Sequence, residues 1–213
     1  MLLAIDTATF RASIALHDGA AIVGECTWEA ANRHTVTLMQ RIESLMTSAG
    51  LRAADLRALA VCIGPGSYTG VRIGVALAQG LALSLGLPLV GIETTEIVAA
   101  AQPADERPLY ALFSAGRRRI GYARYRWDEG WRREGEITLA GWPDFAAALE
   151  GPAIVVGEID AQGRELLRGL EAVEIPPAPR HLRRASYLAE LGRTALQAGA
   201  ESRPEMIRPR YLH

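Results

Sequence analysis

Apolar residues come first in short unbroken runs and then at helical spacing. Leu2–Asp6 is an apolar run closed by a carboxylate, and Arg11–Leu16 and Ala20–Trp28 are two more runs of strand length. His17-Asp18-Gly19 joins the last two as a hairpin turn, and Asp6-Thr7-Ala8-Thr9 turns the chain before them, which predicts an opening three-stranded antiparallel meander. Val36, Leu38, Met39, Ile42, Leu45, Met46 and Ala49 keep a 3–4 spacing, so a helix is expected over Arg33–Ala49, capped by Asn32 and stopped by Gly50. A short helical turn follows at Ala54–Arg57. Leu59–Ile63 is wholly apolar, as central parallel strands are. A helix over Val71–Leu85, stopped by Gly86 and Pro88, and a strand at Leu89–Ile92 complete an α/β order with a mixed sheet.

The pattern weakens over Ala101–Arg107, where proline and charge collect, and the boundary between two domains, 1–102 and 103–213, is placed there. Beyond it, Leu109–Phe113 and Ile120–Tyr125 read as paired strands with Ser114–Arg119 as their turn, and Ile137–Leu139 extends that sheet. A short helix at Pro143–Leu149, a buried strand at Ala153–Val156 and helices at Gln162–Leu170 and Ala185–Ala198 follow, with a proline-stiffened loop at Ile175–Arg180. The second half thus repeats the element order of the first on a smaller scale, without repeating its residues.

Composition narrows the chemistry. Apolar residues make up 49% of the 213, enough for a sizeable core, and a net charge of −1 gives no global field toward nucleic acid or anionic lipid. Met1 leads straight into a strand rather than a leader, no apolar run reaches membrane-spanning length, and the two cysteines, Cys26 and Cys62, are too far apart for a CxxC motif. A cytoplasmic protein with reduced thiols is expected. All 23 basic residues are arginine. The absence of lysine removes a P-loop lysine, a Schiff-base lysine and a Ser–Lys dyad together.

Residues 64–70 are the clearest candidate site. A strand, a loop with Gly64, Gly66, Ser67 and Thr69, and a helix start follow in the order that builds an anion cup from backbone N–H groups. The alternative is structural, because Gly70, Gly74 and Ala78 form a small-residue seam that lets another helix come close. Asp6 has two readings as well: a metal or phosphate contact at a strand end, or a side chain capping its own turn. No histidine pair has the i, i+4 spacing of a helical zinc site, and Ser67 does not stand in a G-x-S-x-G elbow. Over Gly116–Glu136, Arg117, Arg118, Arg119, Arg124, Arg126, Arg132 and Arg133 alternate with Tyr122, Tyr125, Trp127 and Trp131, which is either an RNA-facing surface or a solvated hairpin with inward aromatics. The helices Val36–Met46 and Val71–Leu85 carry more apolar surface than one small sheet face needs, which suits either core or an oligomer interface.

LLAIDTAT, the Asn-Arg-His helix start, GPGSYTGVRIG, GLPLVGIETTE and the RPRYLH tail together resemble the TsaB (YeaZ) family of bacterial tRNA threonylcarbamoyladenosine biosynthesis proteins, most strongly over 1–96. The resemblance implies two RNase H-like domains of the actin-like ATPase, Hsp70 and sugar-kinase superfamily, the second reduced. It implies a non-catalytic dimerisation subunit that pairs with a catalytic TsaD subunit and a TsaE ATPase. The complex threonylcarbamoylates N6 of adenosine 37 in ANN-decoding tRNAs, and the subunit forms a homodimer when alone. The catalytic relative's His-x-x-x-His metal pair falls here on Thr94 and Val98, neither of which can ligate a metal as imidazole does. On this reading there are no catalytic or metal residues and no intrinsic cofactor, ATP or ADP belongs to the complex, tRNA contact is indirect or weak, and no membrane is involved. Asp6, Gly64, Gly66, Ser67 and Thr69 would be a vestigial or complex-dependent phosphate loop. The partner contact is expected at Met39, Ile42, Met46, Val71, Gly74, Ala78 and Leu81, with leucine at Gly74 or Ala78 blocking it. The family's Asp-Ala-Arg in the first hairpin of the second domain falls on Ala115, Gly116 and Arg117, so its acid is missing. The rival is an ATP-binding kinase-fold enzyme using Asp6 and the 64–70 loop.

Overall fold

β1 (Leu2–Asp6) is buried along its whole length because it pairs on both sides, antiparallel with β2 (Arg11–His17) and parallel with β4 (Ala58–Cys62). β3 (Ile22–Glu29) pairs antiparallel with β2, and β5 (Leu89–Ile92) parallel with β4, giving the strand order β3-β2-β1-β4-β5. In this computed structural model, residues 1–30, 34–116, 118–200 and 203–212 are described, with the backbone alone for 34–36. The expected Asn32 cap and Arg33 start, the side chain of Val36, Arg117 and His213 lie outside them.

α1 (His34–Ser48) buries Leu38, Ile42 and Met46, and Gly50 ends it in the left-handed conformation (φ 68°). α2 (Tyr68–Leu85) begins three residues earlier than its apolar pattern predicts. Ser67 caps it, its hydroxyl accepting the Gly70 N–H at 3.2 Å, and Gly86 closes it at φ 64°. α3 (Thr94–Ala100) was not foreseen, since its seven residues span too few turns to show a period.

A second sheet repeats the first. β6 (Leu109–Ser114), β7 (Ile120–Trp127) and β8 (Trp131–Ala140) form the meander, and β9 (Ala153–Gly157) and the two-residue β10 (Val173–Glu174) add in parallel, in the order β10-β9-β6-β7-β8. α4 (Trp142–Ala147) and α5 (Ala161–Arg168) cover it, with Gly163 so close to the Trp142 indole that a Cβ would come within 2.3 Å of it. The expected α/β fold of two mixed sheets flanked by helices is what the chain adopts.

The 1–102 and 103–213 division is corrected. The compact units are Met1–Ile97 with Arg184–His213, and Val98–Arg183. α6 (Ala185–Gln197) belongs to the first sheet's core, where Ala185, Leu188 and Ala189 are fully buried. Gly192 lies so near Ala60 that a Cβ would stand 2.5 Å from that residue's Cβ. Polar contacts fix the return. Glu25 of β3 accepts from the N–H and hydroxyl of Ser186, both at 3.1 Å, and pairs with Arg184 at 2.7 Å, placing negative charge at the helix N-terminus. His17, buried, accepts the Gly19 N–H on Nδ1 at 2.8 Å, which leaves Nε2–H to donate to Glu190 at 2.8 Å. That donation holds the Glu190 carboxyl below its ordinary range. An apolar stripe says that a helix is buried; it does not say against which sheet.

Candidate functional site

The glycine loop and the β1–β2 turn are locked together. Asp6, at the end of β1 and buried, accepts the Ala8 N–H at 2.9 Å, so it caps its own turn. Thr7 donates its hydroxyl to the Gly70 carbonyl at 2.7 Å, and the Ser67 N–H donates to the Ala8 carbonyl at 2.6 Å. A Cβ on Gly66 would meet the Ala8 oxygen at 2.1 Å, on Gly70 the Thr7 carbonyl oxygen at 2.1 Å, and on Gly74 the Thr7 hydroxyl at 2.2 Å. The glycines therefore admit the chain's own turn. Two N–H groups that an anion cup would present, those of Ser67 and Gly70, already meet protein acceptors. Gly64 (φ 92°) faces the Arg210 carbonyl, and Thr69 is exposed.

The expected partner residues divide. Met39 is 46% exposed and Leu81 is half-buried. Ile42, Met46, Val71, Gly74 and Ala78 are buried inside the first unit, and the two glycines of the Gly70-Gly74-Ala78 seam meet the chain's own Thr7 and not a partner helix. That is a correction with a simple cause: on a helix apolar all round, a shift of one residue turns the face by about 100°. The exposed face is the neighbouring one. Between α1 and α2 lies an apolar groove of about 550 Å³, lined by Leu38 and Met39 from α1 and by Tyr68, Thr69, Arg72, Ile73, Ala76 and Leu77 from α2. The sequence carried a signal for it, the run Thr69, Ile73, Ala76, Leu77 at 4–3–1 spacing, one position out of phase with the small-residue seam.

Tyr68 and Arg72 form the polar end of the groove. The Arg72 guanidinium donates to the Tyr68 hydroxyl at 2.9 Å and stands 5.2 Å from that ring's centre. Tyr211 from the C-terminal tail packs on the same ring, centroids 4.9 Å apart, and partial burial there pushes its phenol up from the ordinary value.

Thr94 and Val98 are both buried, and the Thr94 hydroxyl lies 3.3 Å from the Cys62 sulfur. Among the described residues, no three of His, Cys, Asp and Glu stand together as a metal site. In the second unit the hairpin aromatics turn mostly inward: Tyr125 is buried, Tyr122 packs with Tyr110 and Phe145, and the Trp131 indole donates to the Gln102 carbonyl at 3.1 Å. Trp127 is 39% exposed, while Arg124 and Arg126 both pair with Glu134. At the Ala115–Gly116 turn, Ala115 donates to the Arg119 carbonyl, an ordinary turn closure. No helix among the described residues is long and apolar enough to cross a membrane.

The family model described as TsaD: tRNA N6-adenosine threonylcarbamoyltransferase matches residues 26–134. The chain is 29% identical to the tRNA threonylcarbamoyladenosine biosynthesis protein TsaB of Bacillus subtilis, over 90% of this chain and 86% of that one. It is 37% identical to the protein of the same name from Escherichia coli, over 65% of this chain and 61% of that one. A solved structure, YeaZ from Pseudomonas aeruginosa, superposes over 99% of both chains with a TM-score of 0.79 at 25% identity.

Proposed function

The chain belongs to the TsaD family of tRNA N6-adenosine threonylcarbamoyltransferases, on its TsaB (YeaZ) branch, and from that membership we propose that it acts in tRNA threonylcarbamoylation as the non-catalytic partner of a TsaD-type subunit. The observation that carries the reading is the exposed groove between α1 and α2. The stretch that fits the transferase pattern, 26–134, contains both helices. A catalytic subunit built on the same pattern carries corresponding helices. Two such pairs meet about a pseudo-twofold axis as a four-helix contact, each filling the other's groove. In this proposal the product is N6-threonylcarbamoylated adenosine 37 of ANN-decoding tRNAs, a TsaE-type ATPase joins the pair, and tRNA touches this subunit indirectly or weakly. A second copy takes the groove when the transferase subunit is missing. Cys26 and Cys62 are not joined in a disulfide, which suits the cytoplasm, where tRNA is modified.

The scaffold reading is favoured over the ATP-binding enzyme by the loop. Thr7 and Ala8 pack against Gly70 and Gly66 of the loop, and the N–H groups of Ser67 and Gly70 point to protein acceptors. Those residues do not fit a bound triphosphate.

Met39→Glu combined with Ala76→Glu tests the proposal, since it puts two carboxylates into an apolar groove at exposed positions. Pairing with the TsaD-type subunit of the same organism is expected to weaken by about a hundredfold, the cost of desolvating two unpaired charges at an interface. Threonylcarbamoylation in a reconstituted mixture should fall with it. A folded double variant that co-purifies with the transferase as wild type does would sink the reading.

A further inference from the structure

Residues 203–212 are held to the first unit far more firmly than a chain end requires. The Gln79 side-chain amide donates to the carbonyls of Pro204 and Ile207, at 2.8 and 3.0 Å. Ile207 packs against the core, and the Arg210 N–H donates to the Ile63 carbonyl at 2.7 Å, extending the line of β4. The Arg210 guanidinium pairs with Glu93. The tail then places the Tyr211 ring 4.9 Å from that of Tyr68, tilted by 32°. Tyr68 begins α2, is 59% exposed and lines the groove together with Arg72, which bonds its hydroxyl. A continuous chain of contacts therefore runs from the tail to the groove.

We propose that residues 203–212 form a strap that shapes the groove for the transferase subunit, with Tyr211 as a positioning residue that fixes Tyr68 and, through it, Arg72. The proposal rests on the reading of the groove given above. An exposed tyrosine and an exposed arginine at a helix start each sample several rotamers, and docking has to freeze them. The stack and the hydrogen bond freeze them in the free protein. The partner then meets a pre-set aromatic and cationic rim at one end of an apolar groove, made of two of the three residue types that most often dominate binding at interfaces. The Arg72 N–H groups not turned to Tyr68 call for a carboxylate or carbonyl on the partner's otherwise apolar helix face.

The experiment uses the full chain and calorimetric titration with the TsaD-type subunit of the same organism. Tyr211→Ala is expected to bind about tenfold more weakly, the scale of ordering two long side chains. Its melting temperature should stay within about 3 °C of wild type. Tyr211→Phe keeps the ring and should bind as wild type. Tyr68→Ala should lose at least as much as Tyr211→Ala, and the double variant no more than Tyr68→Ala alone, because one acts through the other. If Tyr211→Ala melts early, Tyr211→Leu keeps part of the apolar contact without the flat ring and carries the same expectation. Wild-type affinity in a folded Tyr211→Ala or Tyr211→Leu, or additive losses in the double variant, overturns the strap. Failure of the wild-type chain to bind is a separate result: it overturns the groove reading, and the strap with it.

Discussion

At Gly74 a single missing Cβ decides how α2 meets β1. The nearest atom to an added methyl is the Thr7 hydroxyl at 2.2 Å, while the Thr7 Cβ stands back at 3.5 Å. Gly74→Ala is therefore expected to destabilise the first unit by ~1–3 kcal/mol through overpacking, with no partner present. Removing the hydroxyl makes room, so Gly74→Ala should cost less in a Thr7→Ala background than alone. Denaturant titration of the four proteins of this cycle measures the coupling, and a cost unchanged between backgrounds would show the clash to lie elsewhere. The glycine itself is plain in the sequence. That it faces the same chain's Thr7, 67 residues earlier, is not, since small residues at helical spacing look the same whichever surface they admit.

The elements show where phase and length limit a sequence reading. Both long helices of the first unit were legible because their apolar periods run for several turns, yet the groove stripe of α2 lay one residue from the seam that seemed more distinctive. α3 and β10 were too short to carry a period. β10, an edge strand of two residues, is steadied from outside: Arg107, just before β6, pairs with Glu174 at 2.7 Å and with Asp105 at 2.8 Å. Hydrogen bonds from Arg107 lower the Asp105 pKa from the ordinary 3.8 to about 2. A depressed carboxyl contributes stability that is complete above its unfolded value and lost as pH falls through the folded one. The second unit should accordingly lose stability as pH drops from about 4 toward 2. In Asp105→Asn that slope should flatten, read as denaturant midpoint against pH. Both side chains are partly exposed, so the effect is small and shrinks further in salt.

For the molecule as a whole, the return of the chain matters most. Leu188 and its neighbours on α6 close the first core, and the strap follows from that return. A chain ending at Arg183 leaves buried apolar surface of β1 and β4 open to water. It is expected to show no cooperative melt for the first unit and to aggregate. The fragment Val98–Arg183 has its own core, including Tyr110, Trp142 and Phe145, and should melt cooperatively alone. Calorimetry of the two fragments checks both, and a stable, cooperative 1–183 chain would mean that α6 is dispensable. The repeated strand order of the two sheets was visible in the sequence only as a repeat of element types, because sheet order depends on pairings between distant strands.

The sequence by itself determined most of the longer elements, the α/β class with its internal repeat, the glycine loop and, through its motifs, the family. All of these rest on local spacing, on residues whose backbone needs are read in place, or on motifs matched in line. Only the tertiary structure decided which face each apolar helix buries, that the small-residue seam admits Thr7 and not a partner, and that α6 and the tail come back to the first sheet. Those outcomes depend on contacts between residues tens to almost two hundred positions apart, as between His17 and Glu190 or Tyr68 and Tyr211, and no local pattern encodes which distant surface an apolar stripe will meet.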